Sequence, residues 1–343
     1  MKIGLLGYPQ AGKRTLFTLL TGRAIPESRH PGEALEGTAS IRDPRVGVIA
    51  GICTPQKTVY AENQFVLCPD IVSDAGARGW LDASRRCDLL CLAVRAFESE
   101  DVYHPDGSVD ADRDMANLRA ELLLADMELA EKRLRRMEKE KRAGQTDQQK
   151  RQEAVLKKCL GELESDRPIR EMSLEPHEAE AIRNLELVTA IPTLELFNVA
   201  EDALGAGVPV GTVAVSARLE QEIMEIDDPS EREEYLQAMG LEATGLDRVN
   251  AAAYEAQGLM SFYTMGPDEA RAWTIRRGAT APIAGGKIHT DIQRGFIRVE
   301  VIKFDDLLAA GSEKAAKDHG KTQTKGKDYI IEDGDICHFL FNV

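Results

Sequence analysis

"MKIGLLGYPQAGKRTLFTLLTG" (residues 1–22) sets the fold class: a short apolar run ends in a glycine-spaced loop and passes at once into a helical pattern closed by Gly22. Strand, glycine loop and helix N-terminus, in that order, make an anion cradle in which backbone N–H groups and the helix dipole face the ligand. Gly7, Gly12 and Lys13 fall at the spacing G-x-x-x-x-G-K, so Gly7, Gln10, Ala11, Gly12, Lys13, Arg14 and Thr15 are the candidate phosphate-binding residues. Arg14 occupies the place that normally holds a magnesium-ligating Ser or Thr. Thr15 comes one step late, about 100° further around a helix.

Four more apolar stretches read as strands: "AENQFVLCPDI" (61–71), "CDLLCLAVRAF" (87–97), "IPTLELFNVAED" (191–202) and "VPVGTVAVSAR" (208–218). Unbroken runs such as "LLCLAV" suit buried parallel strands, and polar loops at their C-terminal ends suit a doubly wound α/β domain, expected over 1–111 and 186–264. Between them, residues 112–185 change character. Leu118, Leu122, Ala125 and Leu129 recur at 4-3-4 spacing in a charged segment, "AGQTDQQ" (143–149) breaks the pattern and "AVLKKCLGELE" (154–164) resumes it. That predicts an inserted antiparallel helical coiled coil with its basic stretch near the tip. From 265 to 343, "RAWTIRRG", "GFIRVEVIKF" and "YIIEDGDICHFLFNV" read as strands between glycine turns, with "DDLLAAG" as a helix.

The formal charge of −15 over 343 residues argues against a general nucleic-acid binder. Residues 265–343 carry 12 basic and 12 acidic side chains, so the whole excess lies in 1–264. Within that part "KRLRRMEKEKR" (132–142) holds seven basic and two acidic residues, a local +5. Any polyanion contact is expected at such local surfaces; a solvated helix face with i,i+4 Glu–Lys pairs is the plainer reading. Six scattered cysteines without C-x-x-C spacing read as reduced thiols of a cytoplasmic protein. No apolar run approaches a bilayer span, and the first residues are too short an apolar stretch for a signal peptide.

"RAWTIRRGATAPIAGGKIHTDIQRGFIRVEVIKFDD" (271–306) and "GKDYIIEDGDICHFLFNV" (326–343) resemble the TGS domain, a ubiquitin-like β-grasp module, and "ELLLADMELAEKRLRRMEK" (121–139) resembles the first helix of a coiled-coil arm. With the phosphate loop they make the chain resemble the YchF-type branch of the Obg-related P-loop GTPase/ATPase family over essentially its full length. The resemblance implies a cytoplasmic, monomeric nucleotide switch that contacts the ribosome or its RNA through the arm and the TGS-like domain. It also implies ATP or GTP as ligand, with ATP preferred. "NVAE" (198–201) is similar to the family's N-x-x-E in place of a guanine-reading N-K-x-D, and "VSAR" (215–218) to the loop that follows. Asn198, Val199, Glu201, Ser216 and Ala217 are therefore the candidate base-binding residues. Glu201 is one methylene longer than Asp and displaces the acceptor that guanine needs. Arg135, Arg136, Lys139, Arg276 and Arg277 are the candidate RNA or ribosome contacts.

The metal side departs from the family. "RHPGEALEG" (29–37), where a first switch supplies a threonine, has neither Thr nor Ser. "DIVSDAGARGW" (70–80) keeps Asp70, the candidate metal ligand, but has Ser73 where D-x-A-G has glycine; Asp74 to Gly76 offer a rival alignment. Magnesium is expected to contribute little. Arg14 then has three readings: a solvent-facing helix residue, a guanidinium on phosphate oxygens, or a partner for Asp70 or Asp74. Two function classes remain open. One is a nucleotide-binding protein with weak or lost hydrolysis, or in a stronger form an active switch; the other is an adaptor that works through its arm and C-terminal domain.

Overall fold

The computed structural model describes residues 1–72, 79–140, 146–204 and 211–342. Their strands, in chain order, are β1 (Lys2–Leu6), β2 (Leu35–Ser40), β3 (Lys57–Val59), β4 (Glu62–Leu67), β5 (Leu89–Ala96), β6 (Thr193–Val199), β7 (Thr212–Val215), β8 (Leu259–Thr264), β9 (Glu269–Arg276), β10 (Phe296–Lys303), β11 (Gln323–Lys325) and β12 (Asp335–Phe341). They form two six-stranded sheets. The chain folds into two compact units, Met1–Gly37 with Gln64–Val249, and Thr38–Asn63 with Asn250–Val343.

The first sheet runs β2-β4-β1-β5-β6-β7, and β4, β1, β5, β6 and β7 are parallel. β5 is buried at every position but its last, which is why its sequence is a continuous apolar run and not an alternation. Leu16, Leu246 and Val249 pack on Ala93, Leu196 and Val215 in one cluster. Trp80, Leu81, Met115 and Leu118 pack with Leu6, Leu90 and Val94 in another. Sheet residues of opposite parity thus receive separate helical layers, the doubly wound arrangement of an α/β fold.

The inserted segment forms a helix at Ala111–Glu140 and a second at Asp147–Leu163, opened by a capping box from Thr146 and Gln149. The 4-3-4 stripe divides its labour. Leu118, Leu122 and Ala125 are buried in the sheet cluster, which holds no residue of the second helix. Helix-to-helix packing falls further along, on Ala130, Met137, Val155, Leu156 and Cys159. A single periodic stripe therefore serves two partners in succession. Asp126, at the changeover, accepts from the N–H groups of Val188 and Thr189 at 3.0 and 2.8 Å and from the Thr189 hydroxyl at 2.6 Å.

The second sheet runs β11-β10-β12-β8-β9-β3 and is mixed: β10 is antiparallel to β11 and β12, β8 is antiparallel to β9, and β12–β8 and β3–β9 are parallel. The helix Phe304–Ala310 follows β10 as the sequence pattern predicts. The unit gathers residues 38–63 and 250–264 in addition to 265–343. The helix Pro44–Cys53 is bound to it by Arg45, which reaches Asp333 at 2.7 Å and Asp43 at 2.9 Å, and by Tyr263, whose hydroxyl donates to Asp43. Among the described residues no helix is long and apolar enough to cross a membrane.

Candidate functional site

The phosphate loop connects β1 to the helix Lys13–Thr21. Two glycines in it are obligatory on steric grounds. A Cβ on Gly7 would stand 2.2 Å from the Ala93 carbonyl oxygen, and one on Gly12 would stand 2.1 Å from Nδ2 of Asn198. Gly12 also holds φ 87°, where an L side chain is strained, and Gln10 pays that strain at φ 63°. The helix starts without a side-chain cap and without an acidic residue in its first turn, so its leading N–H groups face outward as anion donors.

Lys13 is the buried centre of the loop, with 3% of its surface exposed. Its Nζ donates to the carbonyls of Gly7 at 2.8 Å and Tyr8 at 2.5 Å and pairs with Oδ1 of Asp70 at 2.7 Å. Burial pushes the ammonium pKa down, and the Asp70 carboxylate works against that. A phosphate oxygen entering the loop would compete with Asp70 for this ammonium.

Asn198, at the end of β6 and 2% exposed, ties the two halves of the site together. Its Nδ2 donates to the Ala11 carbonyl at 3.2 Å, and its Oδ1 accepts from the Ala217 N–H at 3.0 Å. Ser216 caps the helix Ala217–Glu225 by accepting from the Leu219 N–H. Beside this tie lies a cavity of about 300 Å³ lined by Gly12, Thr15, Asn198, Val199, Glu201, Ser216 and Ala217. Thr15 thus lies on the wall of this cavity. A second cleft, of about 330 Å³, lies beside Arg119, Arg170 and the start of β6 and is lined by none of the candidate phosphate- or base-binding residues.

Phe97, Glu98 and Ser99 form another wall of the first cavity, together with Arg218 and Gln221. Sequence reasoning passed over them. The available signal was their place directly after β5, the neighbour of both β1 and β6, where ligand loops of parallel sheets collect. Arg95 shapes that wall. It is 2% exposed, donates to the carbonyls of Phe97 at 2.9 Å and Val102 at 2.8 Å, and lies 4.7 Å from the Phe97 ring centre.

The residues present do not fit a magnesium site. The hydroxyl position is Arg14, and the Asp70 carboxylate is paired with Lys13. Among the described residues no group of three or more His, Cys, Asp or Glu is placed to hold a metal. Arg14 is exposed and pairs with no described carboxylate; of its three readings, the partnership with Asp70 is not formed, since Asp70 pairs with Lys13. Ser73, Asp74 and Gly76 lie outside the described residues. The basic candidates lie elsewhere: Arg135 and Arg136 are exposed, each in an i,i+4 pair, with Glu131 at 3.3 Å and Glu140 at 2.8 Å, and Lys139 is exposed beside them. Arg276 and Arg277 are exposed at the end of β9.

A family model described as "YchF-GTPase_C: Protein of unknown function" matches residues 259–342. The chain is 38% identical over 362 aligned positions to the "Ribosome-binding ATPase YchF" of Escherichia coli O157:H7, covering 100% of this chain and 99% of that protein. It is 33% identical to the protein of the same name from Bacillus subtilis, covering 99% of each. The structure of the Schizosaccharomyces pombe YchF GTPase superposes with a TM-score of 0.82 at 28% identity, over 99% of this chain and 97% of the other.

Proposed function

This chain belongs to the YchF family, and from that membership we propose that it is a ribosome-associated purine-nucleotide-binding protein that prefers ATP to GTP and hydrolyses it poorly or not at all. The observation that supports the reading most is the double hydrogen bond of Asn198, which fixes the phosphate loop to one wall of the adjoining cavity. A nucleotide there would lay its phosphates over Gly12 and Lys13 and its base toward Glu201. The longer Glu201 side chain moves the carboxylate from where guanine's N–H groups need it, which penalises guanine by unpaired polar groups. Slow or absent turnover follows from chemistry. Phosphoryl transfer depends on neutralising charge that develops on the phosphate oxygens, and the hydroxyl that normally helps position a metal for this is missing.

The hairpin of Ala111–Glu140 and Asp147–Leu163 is the proposed coiled-coil arm, and the C-terminal sheet the proposed TGS module. Their exposed cations, Arg135, Arg136, Lys139, Arg276 and Arg277, are the proposed contacts to ribosomal RNA or protein. Calorimetric titration of nucleotide-free protein with ATP, ADP and GTP, in magnesium and in EDTA, tests the nucleotide reading. Adenine-selective binding is the expected result. No binding of any nucleotide would move the function to the arm and the C-terminal unit.

A further inference from the structure

The two corners of the site differ in how they balance charge. Arg14 lies within electrostatic reach of both Lys13 and Arg29, and Arg29 is held beside the loop by its bond to Leu67, the register partner of Leu5 on the strand that leads into Gly7. The described carboxylates that act on this group are Asp70 and Glu33, and Asp70 is already paired with Lys13. Arg29 comes from the segment where the family resemblance places a metal-associated threonine. Its guanidinium is half-buried and donates to the main-chain carbonyls of Glu33 and, at 3.3 Å, of Leu67, the last residue of β4. Its Nε is buried with no hydrogen-bond partner among the described residues. Burial and the Arg14 charge both push the Arg29 pKa down, the mark of a cation held without a full counter-charge.

We propose that Arg14 and Arg29 form a two-arginine clamp that holds the phosphate chain of a nucleotide without a divalent metal. The inference rests on the phosphate-binding reading above and adds Arg29 to the site. The electrostatic logic is direct. A triphosphate in a P-loop is ordinarily neutralised by the loop lysine and a doubly charged ion that bridges two phosphates. Two guanidiniums supply the same two charges, always protonated, in a planar fork that matches phosphate oxygens. They also account for the paired sequence changes. The hydroxyl is replaced by Arg14, and the first-switch stretch lacks a threonine but begins with Arg29. Unlike an ion, side-chain cations cannot leave with the product, so the clamp favours retention over cycling.

The test titrates the full chain with ATP and with inorganic tripolyphosphate, each in EDTA and in magnesium. Both ligands are expected to bind in EDTA. Arg14→Ser and Arg29→Gln are each expected to weaken that binding about 10- to 100-fold, the range for a lost charge-assisted hydrogen bond. Arg14→Ser, which restores the metal-ligating hydroxyl, should gain a magnesium dependence that the parent chain lacks. Because Arg29 also bonds two main-chain carbonyls, Arg29→Lys keeps a cation in place and should lose less than Arg29→Gln; if Arg29→Gln fails to fold, Arg14→Ser decides alone. Nucleotide binding that disappears in EDTA, or that neither variant weakens, overturns the clamp and leaves the nucleotide reading standing. Tripolyphosphate binding without ATP binding overturns the nucleotide reading and leaves the clamp. No binding of either ligand overturns both.

Discussion

The base corner and the phosphate corner of the site are neighbours built on opposite principles. In the base corner the polar groups that shape the loops are matched: Asn198 uses both ends of its amide on main-chain partners, and Ser216 caps the next helix. In the phosphate corner cations exceed described counter-charges, and Nε of Arg29 is buried with no hydrogen-bond partner among the described residues. The difference teaches that recognition and metal-assisted chemistry are separable. A saturated hydrogen-bond network preserves a shape, whereas an unbalanced charge cluster is a demand for a ligand.

Substitutions can break that contrast, and Lys13→Ala is the most damaging. It removes the buried ammonium at the centre of the phosphate loop, and should lower ATP affinity by at least about 100-fold, in the range for a buried charge pair left without one partner. Titration calorimetry reads it directly. Asn198→Ala comes next, because it strands the Ala11 carbonyl and the Ala217 N–H in the interior. It should cost about 2–4 kcal/mol of stability for two unpaired buried groups, seen in denaturant unfolding, and should weaken ATP more than tripolyphosphate. Equal loss of both ligands would mean that the two corners are one. Glu201→Asp sharpens the contrast from the base side: the ATP-to-GTP affinity ratio should fall by about 10- to 100-fold while tripolyphosphate binding stays constant.

How much of this was legible in the sequence depends on whether a residue's partner is local. The loop Gly7–Lys13 announces itself because a glycine spacing is read within a few residues; Asn198 enters through the family resemblance, and its tie to Ala11, 187 residues away, does not show in the sequence. The stripe of Leu118, Leu122 and Ala125 was equally visible, but periodicity states that a face is buried and not against what; here the answer was the sheet. Arg29 was silent, since its meaning arises from segments brought together in space, and the wall of Phe97 to Ser99 was marked only by its place after a buried strand. β3 is quieter still. Its three residues, Lys57–Val59, carry no pattern, and only pairing with β9 makes them a strand.

A fourth perturbation uses pH. Glu220, on the helix that Ser216 opens, accepts from the Gly245 N–H at 2.6 Å, but its other oxygen is buried with no hydrogen-bond partner among the described residues, and burial raises its pKa above the ordinary value. An acid whose folded pKa is raised contributes stability that is complete below its unfolded pKa and is lost as pH rises through the folded one. Glu220→Gln should therefore flatten the fall in stability on going from mildly acidic to neutral pH, measured as unfolding midpoints across that window. A fall as steep as in the parent chain would place its origin elsewhere. The smallest effect on stability belongs to Arg135, Arg136 and Lys139. Exposed pairs of this kind contribute about 0–1 kcal/mol each, so replacing all three by Ala should leave unfolding nearly unchanged while weakening ribosome co-sedimentation and its salt dependence.

The chain passes between its two units three times, after Gly37, after Asn63 and after Val249. That threading dictates a schedule. During synthesis Asp43 and Arg45 emerge early, yet Asp43 meets Tyr263 across a separation of 220 residues and Arg45 meets Asp333 across 288. Closure over such distances is entropically slow, so the second unit cannot mature until the strands after Asn250 have been made. A premature stop after the arm would release a chain whose helix Pro44–Cys53 and strand β3 have no sheet to join, a product for quality control rather than a smaller working protein.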